Sequence, residues 1–159
     1  MENFEGFKNL LQSPQKIVIT THSNPDADAL GSSLSLFHFL RSSGHDVWVI
    51  SPNDYPDFLH WMPGNKEVLV YDSYQMKYCD RLIDEATVIF CLDFSGLNRI
   101  KKMEQPIREA SAKKVLIDHH LDPEDFADFV LWDTKAAATA ELIFDLIDNW
   151  GRTDEISTD

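Results

Sequence analysis

The run Thr87-Val88-Ile89-Phe90-Cys91-Leu92 contains no charged residue and no alternation of apolar with polar positions. It is too short for a buried helix and rich in β-branched and aromatic side chains, so it reads as a strand covered on both faces. Ile17-Val18-Ile19-Thr20-Thr21, Val47-Trp48-Val49-Ile50 and Val115-Leu116-Ile117 have the same character, and Val68-Leu69-Val70 and Phe129-Val130-Leu131-Trp132 are weaker examples. Helical spacing fills the intervals. Leu30, Leu34, Phe37 and Leu40 mark a helix from about Asp28 that stops at Gly44. Tyr74 to Glu85, Met103 to Ala112 and Ala136 to Trp150 are further helical stretches, and Ser51 to Gly64, with three prolines, is a loop with one short helical turn. Strands of this kind separated by helices predict an α/β fold with a mainly parallel sheet covered by helices on both faces.

Composition narrows the class. The 159 residues carry 14 Lys+Arg against 27 Asp+Glu, a formal charge of −13, with 43% hydrophobic residues. That excludes a disordered chain and a protein that coats duplex DNA, which needs a basic surface. It leaves phosphate-bearing substrates open, because bound cations reverse a local field. Cys79 and Cys91 form neither a disulfide framework nor a short metal-binding spacing, and read as reduced thiols. The N-terminus has no apolar signal core and no stretch is long enough to span a membrane. The expectation is a soluble, cytoplasmic chain.

In open parallel sheets, ligands bind beyond the carboxyl ends of the strands. Here those ends carry imidazoles and carboxylates. The first strand runs into His22-Ser23-Asn24-Pro25-Asp26-Ala27-Asp28, the fourth into Asp93, the fifth into Asp118-His119-His120, and the last into Asp133. Each piece has an ordinary alternative. Asp26 or Asp28 suits a helix N-cap, Asp93 a turn, Asp133 a cap on the final helix, and adjacent histidines are often surface residues. Together, so many acids at one sheet edge would repel one another unless cations sat between them. Mixed imidazole and carboxylate donors suit Mn²⁺, with Mg²⁺ or Co²⁺ as substitutes, better than Ca²⁺.

The order and spacing of these motifs resemble the DHH phosphoesterases, over about residues 17 to 145. Asn24-Pro25-Asp26-Ala27-Asp28-Ala29-Leu30-Gly31-Ser32 and Trp61-Met62-Pro63-Gly64 look most like the bifunctional oligoribonuclease and pAp phosphatase group. The resemblance implies a Rossmann-like three-layer domain and two metal ions. His22, Asp26 and Asp93 would hold one, and Asp28, Asp93, His119 and Asp133 the other, with Asp93 bridging. It implies water activated by the metal pair as the nucleophile, Asp118 orienting His119 or its loop, and His120 facing the phosphate. The catalytic group so implied is Asp93, Asp118, His119 and His120.

The implied substrates are short oligoribonucleotides or pAp. Other readings are a DHH enzyme for linear or cyclic dinucleotides or pyrophosphate, and a non-enzymatic metal-binding or interaction module. Family members continue into a smaller substrate-binding domain, so residues 1–159 are expected to be the N-terminal catalytic part of a longer enzyme, with weak turnover alone. Gly31 is expected to pack closely against the sheet, and Ser32 to pack or approach phosphate. Asn98 and Arg99 read equally as phosphate contacts or surface caps. His38, His45 and His60 read as structural or solvated, and Tyr55, Phe58 and Trp61 suit an interface in a homodimer.

Overall fold

A computed structural model describes residue 1 and residues 3–156. The six strands are β1 (Lys16–Thr21), β2 (Asp46–Ser51), β3 (Leu69–Val70), β4 (Val88–Leu92), β5 (Lys113–Asp118) and β6 (Phe129–Trp132). All pair in parallel in the order β3-β2-β1-β4-β5-β6. The helices are α1 (Phe4–Leu10), α2 (Ala27–Ser42), α3 (Met76–Glu85), α4 (Glu104–Glu109) and α5 (Thr139–Asn149). The expected α/β class and the three layers are both present.

Period-2 alternation divides the strand side chains between two cores. Ile17, Ile19, Val88, Phe90, Leu92, Val115 and Ile117 pack with α1, α2 and α5. Val18, Ile89, Cys91 and Leu116 face the other way, toward α3, α4 and the short helical segment Leu97–Met103. Both faces of β1, β4 and β5 are therefore dry, which is why their sequences do not alternate.

The strand order reverses between β1 and β4, the switch point where parallel sheets place their ligands. Register then aligns the ends. Thr21 pairs with Leu92, Leu92 with Ile117, and Asp118 with Trp132. His22, Asp93, Asp118 and Asp133 consequently emerge along one edge.

Several boundaries differ from expectation for local reasons. The last helix begins at Thr139 rather than Ala136. Ala136 N–H closes a turn onto the Asp133 carbonyl at 3.2 Å, and Ala138 is extended at φ −158° and ψ 154°. The first helix, α1, has no strong apolar stripe. It forms because the Asn3 side chain accepts from Gly6 N–H and Phe7 seats in the core. Tyr55 is buried rather than available to an interface, its hydroxyl donating to Asn65 Oδ1 at 2.7 Å, whereas Phe58 and Trp61 are exposed. The loop between β2 and β3 contains the expected short turn, Asp57–Leu59. Among the described residues, no helix is long and apolar enough to cross a membrane.

Candidate metal centre

Asp93 follows β4 at the centre of the sheet, in the left-handed region at φ 65°. Aspartate tolerates that conformation better than most residues, and here it turns the carboxylate back over the strand ends. The side chain is 2% exposed. Its two oxygens face different neighbours. Oδ2 lies 3.5 Å from His22 Nε2, and Oδ1 lies 3.5 Å from His119 Nε2 and accepts from Thr139 Oγ1 at 2.7 Å.

Both histidines are oriented in the same way. His22 Nδ1–H donates to the Ser23 carbonyl at 2.9 Å, and His119 Nδ1–H to the Ala136 carbonyl at 3.2 Å. Each Nε2 is left with its lone pair directed at carboxylate oxygen. Two acceptors face to face at that separation repel unless a proton or a cation lies between them. At His22 the contact with Asp93 holds the imidazole pKa above its ordinary value, against the opposing effect of burial. At Asp93 burial pushes the pKa up, but the hydrogen bonds from His22 and Thr139 and the charges of His22 and His120 together take it below the ordinary carboxylate value.

Asp26 caps α2. Its Oδ1 accepts from Asp28 N–H and Ala29 N–H at 3.0 Å each, so its N-cap reading is realised. Asp28 looks across to α5, accepting from Thr139 N–H at 2.8 Å and Ala140 N–H at 3.0 Å, while Oδ2 lies 3.7 Å from His119 Nε2. Burial raises the Asp28 pKa, the two backbone N–H bonds oppose that rise, and the Asp93 charge adds to it. The loop between them is held by a reciprocal pair: Asn24 N–H donates to Asn53 Oδ1 at 2.8 Å, and Asn53 Nδ2 donates to Asn24 Oδ1 at 3.0 Å. Ser23 N–H is taken by the Arg99 carbonyl at 2.9 Å, so Arg99 supports the loop through its backbone.

Two groups of ligand atoms result, each with all members within 4.8 Å of one another: His22, Asp26 and Asp93, and Asp93, His119 and His120. Asp93 belongs to both. The residues fit divalent cations on a second count. Among the described residues the buried side-chain oxygens without a partner are Thr21 Oγ1, Ser23 Oγ and Asp118 Oδ2, each adjacent in sequence to one of the histidines of these groups.

Asp118 holds the loop that carries His119 through its neighbour His120: Asp118 Oδ1 accepts from His120 Nδ1–H at 2.8 Å. The chain leaves the strand after Asp118, and the rings of His119 and His120, 4.8 Å apart, both approach Asp93 Oδ1, at 3.5 and 3.9 Å. Asp133 is exposed and belongs to neither group. Its Oδ1 accepts from Lys135 N–H at 2.8 Å, closing the turn that follows the edge strand β6. It does not cap α5 either; Asp28 does.

Gly31 also differs from expectation. A Cβ built there meets nothing within 4 Å, so no close packing requires the glycine. It lines an apolar groove of about 570 Å³ between α2 and α5, with Leu34, Trp61, Met62, Ile143 and Phe144. Ser32 is buried and its hydroxyl donates to the Ala29 carbonyl at 3.2 Å. Of the remaining histidines, His38 contacts the Pro63 carbonyl, His45 is buried, and His60 is part-exposed beside Asp57.

Sequence reasoning missed Thr139, a neutral side chain bonded to Asp93. Its only signal was a threonine among alanines, Ala136-Ala137-Ala138-Thr139-Ala140, at a helix start.

Known proteins resemble this chain in sequence and in fold. The model of the DHH family, N-terminal domain, matches residues 16–159. The bifunctional oligoribonuclease and PAP phosphatase NrnA of Thermus thermophilus is 34% identical over 148 residues, 89% of this chain and 40% of that protein. The protein of the same name from Bacillus subtilis is 27% identical over 130 residues, 82% of this chain and 37% of its own length. The crystal structure of an exopolyphosphatase-related protein from Bacteroides fragilis superposes with a TM-score of 0.94 at 47% identity, covering 97% of this chain and 45% of that one. The chain thus spans less than half the length of these relatives.

Proposed function

From the premise that this chain belongs to the DHH family, we propose that it is the metal-binding part of a phosphoesterase acting on short oligoribonucleotides or pAp. The observation that carries the proposal is Asp93, a single buried carboxylate with one oxygen toward His22 and the other toward His119. His22, Asp26 and Asp93 would hold one divalent cation, and Asp93 and His119 a second, together with Asp28, whose Oδ2 lies 3.7 Å from His119 Nε2. The mixed donor set favours Mn²⁺, with Mg²⁺ or Co²⁺ as substitutes. Such a pair, when bound, lowers the pKa of water and stabilises charge on phosphoryl oxygens.

The chain's own residues supply orientation. The Ser23 and Ala136 carbonyls hold His22 and His119 with Nε2 free. The Asp118 carboxylate holds His120 through Nδ1, which leaves Nε2 available to a leaving oxygen. His120 is half-exposed, as a group that meets substrate must be.

The test measures Mn²⁺ binding by calorimetry, and Mn²⁺-dependent hydrolysis of a dinucleotide and of pAp, for this chain and for its Asp93→Ala variant. Two bound ions and Mn²⁺-dependent hydrolysis, both lost in the variant, support the reading. A variant that binds and hydrolyses like the parent overturns it. Stoichiometric metal with no turnover of either substrate by the full-length enzyme would favour a binding module.

A further inference from the structure

Thr139 is the first residue of α5, is fully buried, and touches two acidic side chains at once. Its hydroxyl donates to Asp93 Oδ1 at 2.7 Å, and its backbone N–H donates to Asp28 Oδ2 at 2.8 Å. His119 Nε2 stands 3.5 Å from that same Asp93 oxygen and 3.7 Å from that same Asp28 oxygen. A neutral side chain therefore occupies the junction of three candidate ligands that come from the first turn of α2 and from the ends of β4 and β5.

We propose that Thr139 is a positioning residue of the metal centre, its hydroxyl fixing the plane of the Asp93 carboxylate so that one oxygen faces each metal position. The proposal rests on the reading that two cations share Asp93. The terminal torsion of an aspartate is broad and roughly two-fold, so the carboxylate plane is set by its partners rather than by its own rotamer. An ionised carboxylate only accepts, so the Thr139 hydroxyl is the donor, and each carboxylate oxygen has a second lone pair free for a cation. Hydrogen bonding and ligation at Oδ1 are compatible. Valine has the shape of threonine without the donor, so packing and positioning separate cleanly at this position. The backbone N–H bond to Asp28 survives either substitution.

The experiment titrates Mn²⁺ into the parent, Thr139→Val, Thr139→Ser and Asp93→Ala by calorimetry, with circular dichroism and metal-free melting to confirm the fold. Loss of a hydrogen-bonded partner of a ligand weakens metal binding by about 10–100-fold, and that is the loss expected for Thr139→Val. Thr139→Ser, which keeps the hydroxyl, stays close to the parent, and Asp93→Ala abolishes binding. A purely structural role would not give rescue of affinity by serine. Parental affinity in Thr139→Val, with loss in Asp93→Ala, overturns the proposal and leaves the metal reading standing. Parental affinity in Asp93→Ala overturns the metal reading and the proposal with it. If Thr139→Val does not fold, Thr139→Ala replaces it: weaker binding than serine supports the proposal, and equal binding overturns it.

Discussion

The Asp28 carboxylate caps a helix that begins 111 residues later, its Oδ2 accepting from Thr139 N–H at 2.8 Å. Ala140 N–H is bonded to the other oxygen, so two of the otherwise unsatisfied donors at the start of α5 are met from the first turn of α2. The contact joins two helices that pack on the same face of the sheet.

That cap has a measurable stability. Removing an N-capping side chain typically costs about 0.5–2 kcal/mol. Asp28→Ala also relieves repulsion from Asp93, so the loss in metal-free protein should fall toward the lower part of that range. Asp28→Asn, which still accepts one bond, should lose less. Denaturant titration in the presence of a chelator checks this, and an Asp28→Ala variant as stable as the parent would show that the cap contributes nothing.

His120 stands among the ligand atoms yet gives its Nδ1 proton to Asp118. We expect His120→Ala to leave Mn²⁺ affinity near the parental value while lowering kcat for Mn²⁺-dependent hydrolysis by about 10²–10⁴-fold, the usual contribution of a general acid. Asp118→Ala should lower kcat in the same direction by releasing the ring. A loss of metal affinity in His120→Ala would instead make the residue a ligand.

The parts that sequence revealed share a physical cause. β1, β4 and β5 are dry on both faces, so their composition alone betrays them, and register carries His22, Asp93 and Asp118 to one edge. The parts it hid depend on where backbone goes between elements. Ala136-Ala137-Ala138 has the propensity of a helix, but Ala136 closes the turn at Asp133 and Ala138 is extended, so α5 starts at Thr139 and only then do its first N–H groups reach Asp28. Asp133 shares the edge by register, yet its carboxylate folds back onto its own turn. Neither outcome is encoded in spacing.

His45 makes stability depend on pH in a second place. The ring is buried and its Nδ1 accepts from Gln15 N–H at 3.1 Å, a bond available only to a ring that has no proton there. Burial, with a smaller effect from the Arg152 charge, takes its pKa below the ordinary 6.5. A depressed pKa means that stability is fully present above 6.5 and is lost as pH falls through the folded value. His22, with its raised pKa, acts in the opposite sense: its stabilisation is present below 6.5 and lost as pH rises through its folded value. Melting temperatures of the parent and of His45→Asn, compared across mildly acidic pH, isolate the first effect. The parent should lose more on acidification than the variant, and parallel curves would exclude His45 as the cause.

Both thiols should be silent in the native protein. Burial pushes Cys79 up to about 11, with Asp80 and Asp72 adding to it, and pushes Cys91 up to about 12 against a small opposing effect of Lys114. The thiolate is the reactive form, so both deprotonation and access are denied. A colorimetric thiol reagent at mildly alkaline pH should find no reaction until denaturant is added, and then both cysteines. Rapid labelling of the native chain would mean that α3 opens far more readily than its buried packing against β1 and β4 indicates.

Gly31 offers a gain rather than a loss. It lies inside α2, where glycine is about 1 kcal/mol less favourable than alanine, and a Cβ there meets nothing within 4 Å. Its φ is ordinary for a helix, since it is absent from the glycines with positive values. Gly31→Ala should therefore stabilise the metal-free chain by about 0.4–1 kcal/mol, partly by restricting the unfolded state. Denaturant midpoints at unchanged slope give the measurement. The same variant assayed for Mn²⁺-dependent hydrolysis tests the other use of a glycine, close approach of a ligand. A stabilised variant with parental KM means that the position is free, whereas a stabilised variant with raised KM means that substrate passes over this turn of α2. A destabilised variant would contradict the open space beside Gly31.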